Sequence, residues 1–234
     1  MLKSFDLDII KRAVKIFIVA TICLIITTIF CYFVHPSFNE LKNMGNASEE
    51  IGNTKGLEKV WKYIVNNGFR VPLQMFILAL LPIPYLYLIN LVVTIIMPGI
   101  LLGFLLSFDV HKGVIGSIAF IPHYTFEIMG FCILASALYM LNKAITRRFT
   151  NLFRKSKKEN YAIKDNLINV IKFYVLIALP LIIIAAFLET YVANFIFELM
   201  SWFLYKKPNE PYLVFIWLIL CLIQFLIGYS EVRC

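Results

Sequence analysis

From residue 16 to residue 34 no charged side chain interrupts the chain, and long stretches almost as free of charge recur at 71–108, 124–141, 173–190 and 212–229. A helix needs roughly 20 apolar residues to cross about 30 Å of hydrocarbon. Stretches of this length, joined by short polar connections, leave little chain for a separate water-facing domain. Hydrophobic residues make up 61% of the 234 positions and charged residues 15%, more apolar surface than one soluble core of this size can bury. The expected fold is therefore all-α: one polytopic transmembrane helical bundle over 1–234, with about six spans and broken or re-entrant helices.

The formal net charge is +8, which by itself invites nucleic acid. The basic residues, however, sit in short segments between apolar runs, the pattern of the positive-inside rule. Neither an aromatic-and-basic platform nor zinc-finger spacing accompanies them, so nucleic-acid binding is set aside. Of the five cysteines, Cys23, Cys31, Cys132 and Cys221 lie inside apolar runs where a thiol acts as a small hydrophobe, and Cys234 is not part of a prenylation box. A disulfide framework is not expected.

Residues 1–12 read as an amphipathic lead at the inner interface, with Lys11 and Arg12 on its polar side. Lys3, Lys11, Arg12 and Lys15 precede an apolar run too long for a signal-peptide core, and no small-residue cleavage pattern follows. This is an uncleaved first span starting in the cytoplasm, ended by His35-Pro36. Residues 37–68 form an extracytoplasmic loop, within which Leu57, Val60, Trp61, Ile64 and Val65 recur at helical spacing and predict a short surface helix.

The block 71–108 is too long for one straight crossing and just long enough for two, with a turn expected near Met97-Pro98-Gly99. Residues 113–121 suggest a half-crossing, and 124–141 a further span. The segment 142–172 holds nine Lys or Arg against two acids, Glu159 and Asp165, and so reads as a basic cytoplasmic loop. Spans at 173–190 and 212–229 then return both termini to the cytoplasm.

An ionisable side chain inside a membrane costs about 2.5–3.5 kcal/mol on insertion scales, so each one asks for a reason. The candidates are His123, Glu127 and Glu189, with Asp109 and His111 as additions to one outer-level cluster. His123 and Glu127 stand at i, i+4 on one helical face and can share a proton, and Pro122 before them suits the first turn of a helix. Three roles stay open for this cluster: a lock on helix packing, a polar site for a partner peptide, lipid headgroup or ion, and catalysis with His123, Glu127 and Glu189 as its residues. An HxxxE pair falls short of the three or four ligands of a metal site, and no HExxH, GxSxG or P-loop motif is present. No metal or other cofactor is expected.

Asn66-Asn67-Gly68-Phe69-Arg70 before a span, Pro98-Gly99-Ile100-Leu101-Leu102-Gly103 in the next, Pro122-His123-Tyr124-Thr125-Phe126-Glu127, and Leu179-Pro180 through Ala185-Ala186-Phe187-Leu188-Glu189 together resemble the stage II sporulation protein M family from about 66 to 192. That family's central motif usually reads Pro-His-Gly-x-x-Glu-Leu-Pro. Here Tyr124 stands for the glycine, Ile128 and Met129 for the final pair, and Pro98 where asparagine is common. The resemblance marks Pro98, Gly99, Gly103 and Pro122 as motif and helix-break positions.

It implies a multi-pass protein of the Gram-positive plasma membrane that works with other membrane or cell-envelope proteins and is compatible with oligomers. The implied role is a scaffold for a peptidoglycan-degrading engulfment complex in sporulation, or an accessory of circular-bacteriocin production, export or immunity. Two other classes remain beside this non-enzymatic reading: a membrane-embedded hydrolase or peptide-processing enzyme using the His-Glu pair, and a transport subunit suggested by Pro82, Pro84 and Pro98 in the broken apolar block.

Overall fold

The computed structural model describes residues 2–34 and 54–206; the span expected at 212–229, most of the loop at 37–68, Cys221 and Cys234 lie outside the described residues. All regular structure among the described residues is helical. The first helix, α1 (Leu2–Val34), joins the amphipathic lead and the first span in one rod. The second rod is α2 (Gly56–Tyr63), a π-helical stretch at Ile64–Arg70, and α3 (Val71–Leu80). Then come α4 (Leu88–Phe108), α5 (Val110–Phe153) and a last rod of α6 (Ile163–Phe173), α7 (Leu179–Phe187) and α8 (Ala193–Lys206), whose joints at Tyr174–Ala178 and Leu188–Val192 are also π-helical.

Four helical segments among the described residues are long and apolar enough to cross a membrane: Leu7–Val34, Leu88–Phe108, Val110–Phe153 and Ile163–Met200. Their exposed residues suit lipid rather than water. On α1, Ile18, Ile22, Ile25, Ile29 and Phe33 are exposed at helical spacing, a stripe that hydrocarbon covers at no cost. By contrast, α5 is buried over most of its apolar length and forms the axis on which the other helices pack.

The break in the 71–108 block falls at 81–87, not near Met97-Pro98-Gly99. Pro82 pushes Leu81 out of the helical region, to φ −73° and ψ 139°, as a residue before proline must go. Tyr85 completes the turn at φ 64°, a left-handed conformation that costs a side-chain-bearing residue roughly 1–2 kcal/mol. One buried side chain collects the carbonyls this break releases: Asn142 on α5 donates from Nδ2 to Ala79 at 3.0 Å, Leu81 at 2.9 Å and Ile83 at 3.3 Å. With ten residues, α3 rises only about 15 Å, half a membrane.

Pro98, Gly99 and Gly103 are not a helix break: α4 runs through all three. Proline removes one donor there but the flanking turns hold, as is common in membrane helices. The glycines serve packing. A β-carbon on Gly99 would stand 2.9 Å from Cβ of Thr27, and one on Gly103 would stand 2.6 Å from Cβ of Cys31 and from the Thr28 carbonyl. A four-residue spacing of small residues lets two backbones approach closely, which is how helices adhere where lipid removes the hydrophobic drive. The re-entrant half-crossing expected at 113–121 and the helix start expected at Pro122 are also corrected. Both lie inside α5, whose 44 residues extend roughly 66 Å.

Cross-contacts set the directions. Arg12 donates to the Ser136 carbonyl at 3.1 Å while the Ser136 hydroxyl donates to the Ile9 carbonyl at 2.7 Å, so the basic start of α1 and the basic end of α5 share one end of the bundle. The segment 142–172 is largely helical, its irregular part being 154–162. Gly103→Val is expected to destabilise the detergent-solubilised protein by about 1–3 kcal/mol through overpacking at the α1–α4 seam, read as a lower thermal midpoint. Leu101→Val, on an exposed face of the same helix, is expected to melt like the parent; equal melting of both variants speaks against this seam.

Candidate functional site

His123 and Glu127 are buried on α5, at 8% and 6% exposure. Their i, i+4 spacing brings His123 Nε2 within 2.7 Å of Glu127 Oε2. The other ring nitrogen, Nδ1, faces the Ala185 carbonyl on α7 at 3.2 Å. A carbonyl only accepts, so Nδ1 carries hydrogen, and one proton is shared between Nε2 and Oε2. Glu127 Oε1 accepts from Asn67 Nδ2 at 2.9 Å, and Asn67 Oδ1 accepts from Asn66 Nδ2 at 2.7 Å. Three rods thereby meet at one His–Glu pair.

The pair stands deep within α5, about 20 Å from its first residue at 1.5 Å per residue. The support that the positive end of a helix gives to a first-turn carboxylate does not reach it, since that effect fades within a turn. Histidine and asparagine compensate Glu127 instead. Breaking such a buried pair by removing one partner is costly because the other charge is left stranded.

Glu189 lies next door in a second, wetter group. It accepts from the Tyr63 hydroxyl at 3.1 Å and stands 3.8 Å from Lys59 Nζ. The Tyr63 ring, its centroid 6.2 Å from that of His123, separates the two groups and links them. Asp109 and His111 are not brought in: both sit at the start of α5, more than a dozen residues from Glu127. Asp109 caps that helix, accepting from the Lys112 backbone N–H at 3.0 Å with Lys112 Nζ at 3.5 Å. These contacts, the backbone hydrogen bond first, hold its carboxyl below the usual range; the stability this cap adds is present above the ordinary carboxylate pKa and lost as pH falls through the lowered one. His111 is exposed.

Sequence reasoning missed the residues that complete the site, Asn67, Tyr63, Lys59 and the Ala185 carbonyl. Asn67 and Ala185 were in view only as parts of the resembling segments, with no chemistry attached. Both side-chain arms of the site stand on π-helical stretches, Asn67 within Ile64–Arg70 and Glu189 within Leu188–Val192, a local widening often found at functional positions. Backbone contacts lock these rods: Tyr174 donates to the Gly68 carbonyl, and a β-carbon on Gly68 would meet Leu179 at 3.2 Å. Tyr124, in place of the motif glycine, is buried with its ring centroid 6.2 Å from Phe17 and 5.4 Å from Phe120, filling space between α1 and α5. Among the described residues no group of three or more His, Cys, Asp and Glu is placed to hold a metal ion.

Four helices long and apolar enough to cross a bilayer, with exposed apolar faces, mark a polytopic membrane protein. Within that class the chain belongs to the stage II sporulation protein M family, which matches residues 13–194. No curated protein and no solved structure matches the chain.

Glu127→Ala is expected to cost about 3–5 kcal/mol of stability, since it strands His123 and Asn67 in the bundle. The double variant His123→Leu/Glu127→Leu, with no stranded partner on α5, is expected to recover part of that loss. Thermal unfolding of both variants in one detergent gives the comparison; a double variant no more stable than Glu127→Ala contradicts the coupling.

Proposed function

We propose that this protein is a non-enzymatic scaffold or accessory subunit of a cell-envelope complex in the plasma membrane of a Gram-positive bacterium, with six crossings and both termini in the cytoplasm. One observation supports this reading above the others: both nitrogens of His123 and both carboxylate oxygens of Glu127 are engaged by the chain itself. A general acid or base must come within hydrogen-bond reach of the proton it moves. The contacts of this pair go to the chain itself and tie the α2–α3 rod and α7 to α5. The basic start of α1 and the basic end of α5 lie at one end of the bundle, as two cytoplasmic segments would. Counting the four long apolar helices, the α2–α3 rod and the apolar run at 212–229 as one crossing each gives six, an even number that would return the chain to its starting side.

Family membership favours a sporulation-type role, support of a peptidoglycan-degrading engulfment complex; service to circular-bacteriocin production, export or immunity is the other setting the family resemblance implies. The exposed apolar faces of α1 and α3 suit neighbours within the membrane. Copurification of the tagged full chain in mild detergent is expected to recover envelope hydrolases or exporter components, and recovery of neither class overturns the proposal. Under the scaffold reading, loss of function in His123→Ala and Glu127→Gln tracks loss of folded protein. Variants that remain abundant and assembled yet inactive favour a hydrolase instead.

A further inference from the structure

At the basic end of the bundle, the turn at 81–87 and the last part of α5 enclose a hollow of about 250 Å³, lined by Tyr85, Tyr139, Lys143, Thr146, Arg147 and Arg154 among others. Lys143 and Arg147 stand four apart on one face of α5, and Arg154 follows as the extended residue that caps its C-terminus. Each lacks a carboxylate partner within 4.0 Å among the described residues, and no acid lines the hollow. Glu159 borders only the adjoining depression on the other side of Arg147.

Aromatic faces, which leave the charge intact, hold two of these cations in place. Lys143 Nζ lies 5.1 Å from the Tyr161 ring centroid and 5.8 Å from that of Tyr139; Arg147 Cζ lies 5.0 Å from Tyr161. Arg12 covers the Tyr139 ring at 4.4 Å, adding positive potential. Two further features mark this as more than a solvated basic surface. The Thr146 hydroxyl on the wall, like Asn90 Nδ2 and the Tyr124 hydroxyl away from the hollow, is buried without a hydrogen-bond partner among the described residues, a state that buried polar atoms rarely keep. Tyr85, in its left-handed conformation, stacks on Tyr139 with centroids 6.0 Å apart, and backbone strain of this kind gathers at ligand sites.

We propose that this hollow binds a phosphate group, with Arg147 and Arg154 supplying guanidinium forks, Lys143 a point charge and Thr146 a hydroxyl donor. The same chemistry is offered by an anionic phospholipid headgroup at the membrane surface and by a soluble phosphate ester. Topology-setting positive charge needs no cavity, no aromatic cradle and no buried hydroxyl, so the arrangement asks for a ligand.

The test uses the full chain in an uncharged detergent, titrated with short-chain phosphatidylglycerol, glycerol 3-phosphate or inorganic phosphate, and read by thermal shift and native mass spectrometry. Saturable binding of at least one probe is expected. Lys143→Gln/Arg147→Gln is expected to weaken it about tenfold or more, as loss of charge-assisted hydrogen bonds implies. Arg148→Gln/Lys155→Gln removes equal charge outside the hollow and is expected to change it less than about twofold. Thr146→Val, which leaves charge unaltered, is expected to weaken binding measurably even if the double variant fails to fold. Binding of phosphatidylglycerol alone assigns a lipid headgroup; competition by either soluble probe assigns a phosphate ester. Equal losses in the two charge pairs, no effect of Thr146→Val, or no saturable binding overturns the proposal.

Discussion

Hydrocarbon offers no hydrogen-bond partner, so a polar group buried in this bundle is costly unless the chain itself answers it. That constraint selects α5 as the axis. Along one helix, Glu127 takes up the asparagine of the second rod, His123 reaches the Ala185 carbonyl, Ser136 exchanges hydrogen bonds with the start of α1, and Asn142 gathers three carbonyls from the proline break. Each of these polar residues on α5 closes a seam with a neighbouring rod. Dispersion packing over close-approaching glycines then fills the rest, as between α4 and α1.

Placement of the polar seams also separates the two ends of the molecule chemically. Toward one end stand Asn67, His123, Glu127, Tyr63, Lys59 and Glu189, with acids and bases in balance. The opposite end carries Arg12, Lys143, Arg147 and Arg154 around tyrosines, without a carboxylate among them. A self-satisfied network suits a rigid joint between helices, because rearranging it strands a charge. An unneutralised basic hollow suits binding, because its potential is still available. The same long helix therefore serves as a strut at one level and a recognition surface at another.

The helical rods owe their joints to unlike causes. At 81–87 the chain is broken by Pro82 and Pro84, local covalent chemistry that any environment would feel. The π-helical stretches at Ile64–Arg70 and Tyr174–Ala178 run directly into Pro72 and Pro180, each of which lacks an N–H and crowds the carbonyl four residues back, whereas Leu188–Val192 has no proline beside it. All three lie where Asn67, Tyr174 and Glu189 must face a neighbouring rod, and an extra residue per turn shifts those side chains onto the facing side. Pro98 and Pro122, by contrast, are carried inside α4 and α5 without ending them, since neighbouring helices support the freed turns.

What could be read in the residues themselves was whatever depends on composition and near-neighbour spacing. Long apolar runs dictated helices and lipid, the asymmetric basic segments suggested orientation, and the i, i+4 spacing of His123 and Glu127 put both side chains on one helical face within reach of each other. The segments at 66–70, 98–103, 122–127 and 179–189 likewise carried the family resemblance that the match over 13–194 established. Only the tertiary structure decided the rest: that Asn67 and Ala185 complete the pair, that Asp109 and His111 stand apart from it, that Pro82 rather than Pro98 breaks its block, and that Asn142 heals the break. The completion of the pair and the healing of the break turn on contacts between residues some sixty positions apart, and periodicity along one helix carries no information about which neighbour its face will meet.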